Sequence, residues 1–183
     1  MDTRERLIES TRELLWDRGY VGMSPKAIQD RSGAGQGSMY HHFHGKRDLA
    51  LAAIERNAAD LVDRAEAELA GPGTAGERIT RYLRRERAAL RGCPVGRLTM
   101  DPDVMADPDL RRPVAAAFAA VRTRLAEVLA EGLDASVDPV ATAAALVAVL
   151  QGGYVLARAS GSEDAYTQAV DGAVGLLVSH IRT

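Results

Sequence analysis

Residues 34–49, AGQGSMYHHFHGKRDL, gather a glycine pair, the hydroxyl of Ser38, Tyr40, three histidines (His41, His42, His44) and the cations Lys46 and Arg47. Three chemistries are open to such a set: a metal centre, a catalytic centre, or a surface that meets something negatively charged. The spacing argues against metal. His41 and His42 are adjacent, so on a helix they point about 100° apart, and only His41 and His44 share a face before Gly45 interrupts it. Two ligands without a convergent third make a poor site. Nor does the chain offer a nucleophile paired with a base, a pair of carboxylates at working distance, or a glycine loop shaped to cradle phosphate. The reading is therefore a non-enzyme with no metal and no cofactor. A small metal-dependent enzyme built on His41, His42 and His44 is the rival from another class.

The elements that must hold these residues are short helices. Leu7, Thr11, Leu14 and Leu15 recur at helical spacing from about residue 3 to Arg18, and Gly19 stops that helix. Ser24 followed by Pro25 is an N-cap and first-turn pair opening a second helix, which runs through Ile28 to about Arg31. The glycines of SGAG, 32–35, supply a tight turn, and Gln36 to His42 form a third helix with Met39 and Phe43 facing inward. Two short helices joined by a glycine-containing turn define a helix-turn-helix, whose second helix lies in the DNA major groove. Its outward residues are Gln36, Gly37, Ser38, Tyr40, His41 and His42. Gln36 can pair with adenine, Gly37 lets backbone approach closely, and Ser38, Tyr40 and His42 can reach phosphate oxygens. Lys46 stands at the start of the next helix, where free amides also favour an anion.

Composition bounds the rest. The 183 residues are 46% hydrophobic and 26% charged, with only 4% aromatic, which favours an all-α globular protein. The N-terminus MDTRERLIES is charged where a signal peptide turns apolar, and no uninterrupted apolar run of membrane length is read. The expectation is a cytoplasmic protein with no membrane partner. The single cysteine, Cys93, fits a reducing compartment. A net charge of −2 is unusual for a nucleic-acid binder, although residues 1–48 hold eight cations against seven anions, leaving −3 for the remainder.

Further helices are expected at 46–69, 74–91, 98–106, 108–133, 138–160 and 163–182, about nine in all. The last two are apolar on more than one side: along the final helix Tyr166, Val170, Ala173, Val174, Leu177 and Ile181 draw one stripe while Leu176 and Val178 begin a second. Such helices need two neighbours, which suggests a homodimer through the two C-terminal helices. The run RYLRRERAALR, 81–91, offers a second DNA patch, but the Glu77–Arg81 spacing and Glu86 favour a solvated face.

The stretch GMSPKAIQDRSGAGQGSMYHHFHGKRDL strongly resembles the DNA-binding domain of TetR-type transcriptional repressors. Ser38, Tyr40, His42, Phe43, Lys46 and Leu49 match the family pattern, and the likeness covers about residues 4–50. It implies base or groove contacts for Gln36, Gly37 and Tyr40, and phosphate contacts for Ser24, Lys26, Ser38, His42 and Lys46. Pro25 and Gly37 depart from the pattern. Residues 74–183 resemble, less sharply, the family's ligand-binding and dimerisation region, with GCPVGRLTMD (92–101) and LQGGYVLARA (150–159) similar to segments of one subgroup.

The resemblance implies a three-helix N-terminal domain at 1–46 and a helical ligand-binding and dimerisation domain at 47–183. It also implies a repressor that holds a palindromic double-stranded operator as a homodimer and is released by an unknown small-molecule effector, with the helix from Lys46 as the lever. Tyr82, Cys93, Met100, Met105, Phe118, Arg122, Gln151 and Tyr154 are candidates to line the effector pocket, each set against ordinary core packing. Cys93, near Arg91 and Arg97, has the surroundings of a redox sensor, against which stands simple burial beside Pro94. A helical dimer that binds a protein and keeps the head as a relic is a third reading.

Overall fold

The protein, obtained as a computed structural model, is described over residues 1–181. Among these are nine α-helices: α1 (Thr3–Arg18), α2 (Pro25–Ser32), α3 (Gln36–His42), α4 (Lys46–Leu69), α5 (Ala75–Arg84), α6 (Pro102–Ala106), α7 (Pro108–Gly132), α8 (Pro139–Ser160) and α9 (Asp164–Val178). A 3-10 turn, Gly96–Met100, precedes α6. The fold is all-α; Leu133 and Ile181 make an isolated bridge. The helix expected at 163–182 ends at Val178; the side chain of Val178, part of the expected second stripe, and residue 182 lie outside the described residues.

Two compact units emerge. One joins Met1–Asp60 with Pro94–Ala116; the other joins Leu61–Cys93 with the residues from Ala117 onward. This grouping differs from a cut after residue 46, because 47–60 and 94–116 fold with the head.

In the first unit each short helix is set by its caps. Asp2 accepts the Glu5 amide to start α1, and Ser24 accepts the Ala27 amide to start α2, with Pro25 filling the first turn where no amide donor is needed. α2 ends on Gly33 at φ 66°, ψ 15°, a left-handed conformation that favours glycine, and α3 begins three residues later. α1 packs against both α2 and α3. The Arg6 guanidinium donates from Nε to the Ser32 carbonyl at 3.3 Å, fixing the turn from the α1 side. Leu7, Leu15, Ile28, Met39, Leu49 and Ile54 are buried to below 2% exposure, so α3 is pinned through Met39.

The second unit has its own core. α8 packs along α9, and α5 packs on α9. Leu69, Ile79, Leu83, Leu125, Leu129, Val170 and Val174 are buried there. Thr74 and Glu77 form a reciprocal capping box at the start of α5.

Several expectations are corrected. The helix expected at 74–91 ends at Arg84, where Arg85 turns extended (φ −55°, ψ 147°), and Leu90 beyond it is exposed. Glu77 serves the Thr74 cap and Arg81 donates to the Pro72 carbonyl, so their spacing builds no ion pair. The segment 98–106 is divided at Asp101-Pro102 into the 3-10 turn and α6. Finally, α8 is long and apolar enough by length and composition to cross a membrane, with an 18-residue stretch of mean hydropathy 1.8. Polar Thr142 and Gln151 interrupt the run.

Candidate nucleic-acid interface

α3 is seven residues long, too short to stand alone, so its orientation is dictated by the core beneath it. Met39 is fully buried and Phe43 nearly so, which turns the opposite side of α3 outward. Gln36, Gly37, Tyr40, His41 and His42 are exposed, Tyr40 by 49%, and Ser38 is half-buried. His41 and His42 meet edge to face at 5.0 Å between ring centroids. Among the described residues no three potential metal ligands converge.

Gly37 is informative because a Cβ built there meets nothing within 4 Å of the chain. Internal packing therefore does not require the glycine, although glycine costs a helix up to about 1 kcal/mol relative to alanine. Close approach of something outside the chain would account for it.

The flanking candidates sit in different states. Ser24 spends an oxygen lone pair on its cap and keeps its O–H to donate. Lys26 pairs with Asp30 at 3.2 Å, both side chains largely exposed, so the ion pair is weak and the lysine remains available. Lys46 differs from the rest: its Nζ lies 4.0 Å from the centroid of the Tyr20 ring. Its neighbour Arg47 is held by Asp107 (Nε to Oδ2, 2.6 Å) and Asp109 (Nη2 to Oδ2, 2.7 Å). Sequence reasoning missed Arg4, an exposed cation whose guanidinium stands 5.3 Å from the centroid of Phe43, at the end of α3. Only the fold brings these two residues together.

The effector-pocket candidates divide between the units. Tyr82, Cys93, Phe118, Arg122, Gln151 and Tyr154 belong to the second, and Met100 and Met105 to the first. Tyr82 and Cys93 are buried, while Phe118, Gln151 and Tyr154 are half-buried. Arg122 is exposed, and Met100 is 85% exposed.

A three-helix head that turns a two-turn helix outward, followed by an independent helical core, defines a helix-turn-helix regulator with a C-terminal regulatory domain. The chain belongs to the TetR family of bacterial regulatory proteins: the family's N-terminal model matches residues 7–53, and the tetracycline-repressor-like C-terminal domain matches 76–173. Members are DNA-binding transcription regulators, often repressors, and are not enzymes. They typically dimerise and bind small-molecule effectors.

Among its relatives is a helix-turn-helix transcriptional regulator from the lacX 3′ region of Lactococcus lactis subsp. lactis, 27% identical over 86% of this chain and 84% of that protein. The transcriptional repressor NemR of Escherichia coli strain K12 is 28% identical over 55% of this chain and 54% of its own length. The crystal structure of reduced E. coli NemR superposes with a TM-score of 0.84 at 25% identity, covering 100% of this chain and 98% of that one. A TetR regulator from Chloroflexus aurantiacus reaches 0.89 at 25% identity, covering 98% and 96%.

Proposed function

We propose that the protein is a cytoplasmic, ligand-responsive repressor that binds a palindromic operator as a homodimer and leaves it when a small molecule occupies the C-terminal unit. The observation that carries this reading is the two-faced α3: Met39 locks it to the core while Gln36, Gly37, Tyr40, His41 and His42 stand outside. Gln36, Gly37 and Tyr40 face base edges; Ser24, Lys26, Ser38, His42 and Lys46 serve phosphates, joined by Arg4.

Dimerisation through α8 and α9 is supported by their outer surfaces. Ala141, Ala145, Ala148, Gly152 and Ala159 make an exposed stripe of small residues along α8, flanked by exposed Val155 and Leu156. On α9, Gly172 and Gly175 are exposed beside Leu176, which is 75% exposed. Small side chains let helix backbones approach closely, and the apolar flanks supply area to bury. The same stripe explains the apolar character of α8 without a bilayer. An effector acts only through its differential affinity for the DNA-competent and released states. α4, which contributes residues to both units, is the element to carry that difference.

Fluorescence anisotropy with a palindromic fragment from upstream of the protein's own reading frame tests the assignment. Affinity should fall steeply and log-linearly with salt, and Tyr40→Ala should weaken it. Salt-insensitive binding, or binding untouched by Tyr40→Ala, would contradict it.

A further inference from the structure

The basic run at the end of α5 does not form one solvated face. Arg84 pairs outward with Asp171, but Arg85 and Arg87 fold back over the buried ring of Tyr82, their guanidinium carbons 5.5 and 5.3 Å from its centroid. Arg87 is fixed by backbone carbonyls: Nη1 donates to Leu83 at 2.7 Å and Arg85 at 3.1 Å, and Nη2 donates to Tyr82 at 2.6 Å. Arg85 has no such anchor, and its Nε is buried without a hydrogen-bond partner. Among the described residues no carboxylate forms an ion pair with either guanidinium; Glu68 acts on Arg85 only from a distance.

Across from them stand two more tyrosines. The Tyr154 and Tyr166 rings are 4.9 Å apart and tilted by 33°. Tyr166 is only 7% exposed; its buried hydroxyl lies beside Tyr154 and Arg87 but makes no hydrogen bond of good geometry with either. Gly153 leaves room for this ring, since a Cβ there would come within 2.9 Å of it. Burial pushes all three phenols upward, so they stay neutral donors, and both arginines act on Tyr166. Burial, then the neighbouring Arg87, pushes the Arg85 guanidinium down. Two half-buried cations without an ion-paired carboxylate, with the Arg85 Nε and the Tyr166 hydroxyl both buried and unpartnered, are incomplete as a structural cluster. A bound anion would complete them.

We propose that Arg85, Arg87 and the Tyr166 hydroxyl form the anion-recognising end of the effector pocket, and that the effector is an organic acid whose carboxylate is carried on an aromatic or apolar body. The free Nε side of Arg85 suits the two-pronged geometry of a carboxylate. The half-buried Tyr154 offers its ring to the body of the ligand. This rests on the reading of the second unit as the effector-binding part.

The test uses 4-(trifluoromethyl)benzoate and its neutral isostere 4-(trifluoromethyl)benzamide, with binding followed by fluorine NMR on the full chain. The wild type should prefer the acid by about tenfold or more, as charge-assisted hydrogen bonds require. Arg85→Gln should bring the ratio near unity, and Tyr166→Phe should weaken binding of the acid. Equal affinities in the wild type, no binding of either probe, or an acid preference that survives Arg85→Gln would overturn the proposal. Operator affinity read on the same samples separates the two claims. Acid binding that depends on Arg85 but leaves the operator bound would contradict effector release and keep the anion site. Release by a neutral molecule with no preference for acids would remove the anion site and keep effector release.

Discussion

Asp101 holds Tyr20 across 81 residues of sequence: its Oδ2 accepts the Tyr20 backbone amide at 2.7 Å and the Val21 amide at 3.1 Å. Its Oδ1 accepts the amides of Asp103 and Val104, both at 3.2 Å, which caps α6. One buried carboxylate thus satisfies the chain leaving α1 and the start of α6. Asp101→Ala leaves four amides unpaired and should destabilise the protein by about 2–4 kcal/mol. Urea denaturation measures this; a loss under about 0.5 kcal/mol would show that water replaces the carboxylate.

Gly37→Ala separates folding from binding. The added Cβ meets nothing in the chain, so the variant should be as stable as the wild type or more so, by up to about 1 kcal/mol. Operator affinity should nonetheless fall, because the methyl intrudes where DNA approaches. Unchanged affinity would remove Gly37 from the interface.

Acid should loosen the clasp between Arg47 and Asp107. Hydrogen bonds from the Arg47 guanidinium, then from the Asp109 and Leu110 amides, hold the Asp107 carboxyl below its ordinary value of 3.8. A carboxyl depressed in the folded state contributes stability that is complete above that ordinary value and is lost as pH falls through the lower folded value. The stability difference between wild type and Asp107→Asn should therefore be constant near neutrality and shrink below about pH 4. A difference that grows in acid would reverse the sign of this linkage.

Arg85→Met removes a half-buried cation that no carboxylate balances, and it should raise the thermal midpoint by about 2–4 °C. Differential scanning calorimetry without added anions reads it directly. A lowered midpoint would mean that stacking on Tyr82 outweighs the unpaired charge.

Leu156→Arg together with Leu176→Arg places charges on the exposed faces of α8 and α9 without touching either core. Sedimentation should show a monomer, and operator affinity should drop by about a hundredfold or more as the link between half-sites is lost. A dimer that persists would move the interface elsewhere.

The head was legible because its signals are local. Ser24-Pro25, the glycines of 32–35 and the Met39–Phe43 spacing each act within a few residues, and α1, α2 and α3 lie where those signals put them. The all-α class and the family likeness of the second half were legible for similar reasons, from composition and helical periodicity. What escaped depends on distant partners. Arg85 and Arg87 are helix-compatible residues, and nothing nearby foretells that their side chains return to Tyr82 and face Tyr154 and Tyr166. Arg4 gains its place beside α3 only through Phe43, and Asp101 gains its role only through Tyr20.

The outward face of α3 is tested most directly by methylation interference at guanine N7, an atom displayed in the major groove. With the operator bound, interference should fall in two clusters about one helical turn apart, 34–36 Å along the duplex, and should disappear from both with Tyr40→Ala. Interference confined to one cluster, absent from the major groove, or unchanged by Tyr40→Ala would contradict a symmetric pair of recognition helices built on α3.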